Sequence, residues 1–134
     1  MASGFKEIRH TADWALLVWA PNLEGLFCQA ATGMNWLMGV ELSPESRVTR
    51  EISLSAFDAE SLIVAFLNEI LFIMETDSIG FDQFALTIGQ NTLSGQLIGA
   101  ALTGYQKAVK AVTYNGLEIT NNRRGLETTI VFDV

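Results

Sequence analysis

The chain has 134 residues, 49% of them apolar and only two of them proline, with eight basic and fifteen acidic side chains for a net charge of −7. That length bounds a single domain, residues 1–134, with enough apolar surface for a core and too little charge for a disordered chain. The acidic balance argues against tight direct RNA binding, which normally needs a basic face, and suits a metal ion or a basic protein partner better.

In chain order, the first strong signal is the apolar run Trp14 to Ala20, which predicts a strand buried on both faces or nearly so. Pro21-Asn22 stops it, and Asn22 is positioned to cap a helix. Leu23, Leu26, Phe27, Ala30, Met34, Leu37 and Met38 then recur at three- and four-residue steps, an apolar helical stripe ending near Gly39. Val48, Ile52 and Leu54 alternate with polar neighbours, as in a half-exposed strand. Ser55 or Asp58 caps a second helix with Leu62, Ile63, Phe66, Leu67, Ile70, Leu71 and Met74 on one broad face. Two further strands are expected, one through Phe81, Phe84, Leu86 and Ile88 and one from Leu93 to Leu102. Lys110 to Ile119 reads as one strand bent at Asn115-Gly116, followed by a tight turn at Asn121 to Gly125. The last strand runs through Thr128 to Val131 and carries Asp133 and Val134 to the edge of the sheet. The predicted class is α+β: two helices packed on a mostly antiparallel sheet in a single-domain sandwich. The three tryptophans fall in strand or helix patterns and are expected in the core.

The longest apolar run, Leu62 to Phe72, is interrupted by Asn68 and Glu69 and falls short of the roughly 20 residues of a membrane span. The start, Met1 to Lys6, lacks the basic cluster and apolar core of a secretion signal. Cys28, the single cysteine, has no internal disulfide partner and reads as a packed thiol in a reducing, cytoplasmic setting. No phosphate-binding glycine loop, CxxC pair, paired helical histidines or Gly-x-Ser-x-Gly elbow occurs.

Two stretches carry chemistry. His10-Thr11-Ala12-Asp13 stands just before the first buried strand, at a loop–strand junction near the rim of the sheet. The residues read equally as a local turn with Asp13 capping backbone N–H groups. Ile130-Val131-Phe132-Asp133-Val134 puts a side-chain carboxylate, a backbone carbonyl and a terminal carboxylate close together. Such oxygens suit a hard divalent cation, Ca²⁺ or Mg²⁺, which takes oxygen ligands at roughly 2.0 to 2.6 Å. A solvated strand end is the plain alternative.

Four blocks in order resemble the archease family. They are Glu7-Ile8-Arg9-His10-Thr11-Ala12-Asp13, Asp58-Ala59-Glu60-Ser61-Leu62 through Asn68-Glu69-Ile70-Leu71, Lys110-Ala111-Val112-Thr113-Tyr114, and Val131-Phe132-Asp133-Val134. The resemblance implies an α+β fold and a metal site formed by Asp13, Asp133 and an oxygen of Val134. The bound ion would be Ca²⁺, Mg²⁺ or Mn²⁺, with His10 and Lys110 as supporting or partner-contacting groups. It further implies an accessory protein rather than an enzyme, one that activates a tRNA-splicing, 3′-phosphate RNA ligase by promoting guanylylation of its histidine with GTP. Where many family members carry a histidine after the Lys-Ala-Val-Thr-Tyr block, this chain has Asn115.

Two other readings stand beside it. A metal-dependent hydrolase would take Asp13 and Asp133 as ligands and His10 as base, and needs a substantial pocket. A chaperone-like binding module would hold a client on apolar surface that includes Trp14, Trp19 or Trp36.

Overall fold

The computed structural model describes residues 2–8, 14–114 and 116–134. Its elements, in order, are β1 Gly4–Ile8, β2 Trp14–Ala20, α1 Leu23–Met38, β3 Glu41–Leu42 and β4 Val48–Ser55. They continue with α2 Ala59–Asp77, β5 Ile79–Ile88, β6 Thr92–Gly104, β7 Ala111–Thr113, β8 Thr120–Asn122 and β9 Gly125–Asp133.

Both helices begin where a short polar side chain takes up an otherwise unpaired N–H. The Gly25 N–H donates to Asn22 Oδ1 at 2.8 Å, and the Ser61 N–H donates to Asp58 Oδ1 at 2.7 Å. Both helices end in a left-handed residue, Gly39 with φ 66° and Ser78 with φ 55°. From Ser78 the chain turns directly into β5, with no intervening loop.

The α+β class expected from the sequence is the observed one, but the strands divide into two antiparallel sheets. The first has the order β1-β2-β9-β7, with β8 also on β9. In the second, β6 pairs with β3, β4 and β5. Helix α1 packs on β1, β2 and β9 and also on β5, while α2 packs on β7 and on β4, β5 and β6. The helices therefore form a layer between the sheets. The reason is visible in their buried residues. In α2, Leu62, Ile63, Phe66, Leu67, Ile70, Leu71 and Met74 cover about half the helix circumference at 100° per residue, too much for one sheet to shield. Phe27, Phe66, Phe81 and Phe132 are all fully buried in the resulting core.

Other departures from the sequence reading have local causes. β1 arises from a charged, unpromising start because β2 offers it a partner, Phe5 opposite Val18. Its Lys6 suits an edge strand. Lys110 to Ile119 is not one bent strand. β7 ends at Thr113, the Leu117 N–H donates back to the Tyr114 carbonyl at 3.0 Å, and Leu117 drops into the core before β8 begins. Both short strands then lie along the same side of β9, and the turn expected at Asn121 to Gly125 is present, with Gly125 at φ 102°. Of the tryptophans expected in the core, Trp14 and Trp19 are partly buried, but Trp36 is 58% exposed, its ring 5.8 Å from that of Phe5.

Candidate functional site

The antiparallel register of β2 and β9 sets Trp14 opposite Phe132. Along β9, Thr128, Ile130 and Phe132 point into the core and the residues between them do not, so the strand is anchored up to Phe132 and Asp133 emerges exposed. The sequence reading puts Asp133 at a sheet edge. It lies instead at the end of an interior strand, between β2 and β7, because the short β7 adds on the far side. Ala111 is its partner across that pair, and the Lys110 N–H donates to the Asp133 carbonyl at 2.7 Å.

The segment between β6 and β7 passes over this strand end. Its Gln106 and Lys107 N–H groups donate to the Met38 carbonyl at 2.8 and 3.1 Å. Those bonds satisfy a carbonyl at the negative end of α1, a helix with no basic residue in its own last turn. The Lys107 ammonium then sits 3.4 Å from the centre of the Trp14 ring, a cation–π contact that joins the segment to β2.

Helix α2 closes the third side. The Asn68 side chain accepts from the Val112 N–H at 2.9 Å and donates to the Val112 carbonyl at 3.3 Å. At the start of the helix, Glu60 accepts from the Ile119 N–H at 3.1 Å, and the Tyr114 hydroxyl donates to Asp58 at 3.4 Å. Hydrogen bonds from Ser61, and then from Tyr114, hold the Asp58 carboxyl below the usual carboxylate range. Between α2 and the segment before β7 runs a half-open groove of about 520 Å³, with Leu71, Phe72, Tyr105 and Val109 among its walls and Glu75 and Lys110 as its charged groups. Asp133 does not line it.

Of the residues singled out from the sequence, Asp133, Val134 and Lys110 stand together at this strand end, Asp133 and Lys110 exposed and Val134 36% exposed. His10, Asp13 and Asn115 lie outside the described residues. Among the described residues, no three His, Cys, Asp or Glu side chains group as a metal-binding set. The donors at the strand end are carboxylate and carbonyl oxygens, the chemistry that suits a hard cation rather than zinc. Cys28, expected to be packed, is partly buried with Sγ 3.8 Å from the Phe84 carbonyl, and burial pushes its thiol pKa up, with Glu24 adding to the effect. Among the described residues, no helix is long and apolar enough to cross a membrane.

Sequence reasoning left Lys107 and Asn68 without a role. The signal for Asn68 was there: a polar amide interrupting the longest apolar run of the chain needs a buried partner. Nothing in the local pattern marks Lys107, whose partners Met38 and Trp14 are distant in sequence.

Three of the four blocks therefore meet at one end of the molecule. Asp58 and Asn68 of the second block bond Tyr114 and Val112 of the third, and the third pairs with Val131 to Asp133 of the fourth. Comparison with known proteins agrees. The chain matches the model of the archease protein family over residues 5–134. It is 30% identical over 139 residues to the protein archease of Methanosarcina barkeri, covering 97% of this chain and 95% of that one. With the protein archease of Methanothermobacter thermautotrophicus it shares 28% identity over 138 residues, covering 98% and 99%. Similar solved structures include the crystal structure of an archease, possible chaperone, from Thermotoga maritima, with TM-score 0.72, 22% identity and 96% of each chain covered. A solution structure of a Methanobacterium thermoautotrophicum protein has TM-score 0.72 and 24% identity over 98% of this chain and 99% of that one. At these identities the structural likeness speaks for the fold.

Proposed function

The chain belongs to the archease family, and from that premise we propose that it is a metal-binding accessory protein. Its partner is a 3′-phosphate, tRNA-splicing RNA ligase, which it activates by promoting GTP-dependent guanylylation and so multiple turnover. One observation carries the reading. Trp14, whose backbone nitrogen is bonded to Asp13, stands opposite Phe132, whose carbonyl carbon is bonded to Asp133. The start of β2 and the end of β9 therefore lie at the same end of one antiparallel pair, each next in sequence to an acidic residue.

In this reading Asp13, Asp133 and an oxygen of Val134 hold the cation, Ca²⁺, Mg²⁺ or Mn²⁺, which supplies positive charge for phosphate oxygens. The residues of the chain do the rest. The Lys110 N–H fixes the Asp133 carbonyl, and the Lys110 side chain, exposed beside it, is available to a phosphate or to the partner. His10 supports the same tip. The net charge of −7 favours docking on a basic or metal-rich surface of the ligase over direct contact with RNA.

The test is multiple-turnover RNA ligation by the cognate ligase with GTP and Mn²⁺ or Mg²⁺. The chain should convert a stalled single-turnover reaction into many turnovers, and Asp13→Ala and Asp133→Ala should each abolish the effect. Activation that survives both substitutions would sink the metal tip, and no activation by the wild-type chain would sink the ligase partner.

A second reading, the chaperone-like module, draws on Phe57, Phe72 and Trp36, which are 89%, 60% and 58% exposed. It becomes the one to pursue if the wild-type chain leaves ligation unchanged.

A further inference from the structure

Asn68 behaves toward β7 as a neighbouring strand would. The N–H and C=O of one residue in a strand point to the same side, and both groups of Val112 are taken by the Asn68 amide, at 2.9 and 3.3 Å. β9 pairs with β7 on one side, and the bonds to Asn68 of α2 show that both Val112 groups face the other, away from β9. β7 has only three residues and would otherwise expose an unpaired edge against α2, where Val112 is 96% shielded from water. An unbonded N–H and C=O buried there would each cost free energy, and an amide is the side chain that can satisfy both at once. This accounts for a polar residue in the longest apolar run of the chain.

The consequence reaches the strand end. β7 holds the last turn of the β9 ladder: Ala111 pairs with Asp133, and the Lys110 N–H bonds the Asp133 carbonyl. We propose that Asn68 is a positioning residue for that end, acting through β7 to fix the Asp133 main chain and the adjoining Lys110, while its own amide bonds only Val112. The proposal deepens the metal-tip reading, on which its second measurement rests, while its first does not depend on any metal.

The first measurement is amide hydrogen exchange on the intact chain, comparing wild type with Asn68→Ala and with the milder Asn68→Ser, whose single hydroxyl is too short to bridge both Val112 groups. The Lys110 and Val112 amides should exchange about tenfold faster or more in both variants, as expected for two lost hydrogen bonds, while Leu16 and Ile130 in the β2–β9 core keep their protection. Parallel acceleration of all four amides would mean general destabilisation and would overturn the proposal, as would unchanged exchange at Lys110. The second measurement is Tb³⁺ titration followed by tryptophan-sensitised luminescence. Several-fold weaker binding by the variants supports the proposal, and equal binding by wild type and variants overturns it. If the wild-type chain binds no Tb³⁺, the metal-tip reading fails, and the exchange result at Lys110 alone decides the role of Asn68.

Discussion

The Lys107 ammonium stands 3.4 Å from the centre of the Trp14 ring, while the Lys107 N–H is bonded to the Met38 carbonyl at the end of α1. One residue therefore ties the segment before β7 to both the helical layer and the first sheet, beside the candidate site. Lys107→Met keeps most of the aliphatic stem and removes the charge. For an exposed pair the loss should be about 0.5–1 kcal/mol of unfolding free energy, read as a shift in the denaturant midpoint with an unchanged slope. An unaltered midpoint would mean that the contact is not populated in solution.

Of three glycines replaced by alanine, Gly99 should rank well ahead of the other two in lost stability. A Cβ on Gly99 would run into the backbone carbonyl of Gly80 across the β5–β6 pair, which cannot yield without breaking the sheet. Gly99→Ala should cost more than about 3 kcal/mol, beyond ordinary overpacking, or prevent folding. At Gly33 in α1 the Cβ would meet the buried Leu16 side chain and lie 3.0 Å from Phe5 Cγ. There a helix-propensity gain of about 1 kcal/mol opposes an overpacking cost of about 1–3 kcal/mol, so a net loss is expected. Gly116 has open space around it and only its φ of 74° to lose, so about 1 kcal/mol suffices. Thermal or denaturant unfolding of the three variants checks the order, and a Gly33→Ala variant more stable than wild type would overturn the close-packing account of α1.

The cap of α2 should be sensitive to acid. The Asp58 carboxyl titrates below its usual range in the folded chain because it accepts from Ser61 and Tyr114. A carboxyl with a depressed folded pKa stabilises the fold above its unfolded pKa of about 3.9, and the contribution is lost as pH falls through the folded value. Asp58→Asn retains a capping oxygen but no charge. Wild type should therefore lose melting temperature more steeply than Asp58→Asn as pH drops below about 4, with the two curves parallel above about 5.5. Parallel curves over the whole range would show that the carboxylate form of Asp58 adds nothing to the cap.

The two helices were legible because their signals are local. The three- and four-residue spacing of Leu62 to Met74 and the oxygens of Asn22 and Asp58 act within one or two turns; Asn22 caps α1 as expected, and of the two candidates Ser55 and Asp58 it is Asp58 that caps α2. The same holds for the apolar strand through Leu16 and Val18 and for the turn before Gly125. β1 was not legible, since Gly4 to Ile8 has little strand character until β2 lies beside it. The run from Lys110 to Ile119 departs from the single strand its propensity suggests, because propensity does not reveal that Leu117 is needed in the core.

The candidate site divides in the same way. Its residue types were written in the chain: the carboxylate of Asp133 on an apolar strand, the lysine at 110, the amide of Asn68 inside an apolar run. What they are near was not, because each partner is remote in sequence: Asn68 is 44 residues from Val112, and Trp14 is opposite Phe132 across nearly the whole chain. The sequence by itself determined the helices, their caps and the apolar strands, through forces that act between neighbours along the backbone. Only the tertiary structure decided that two sheets enclose the helices and that β9 runs between β2 and β7. Strand pairing depends on which chain segments compete for the same edge, and that competition is settled when the whole core is buried at once.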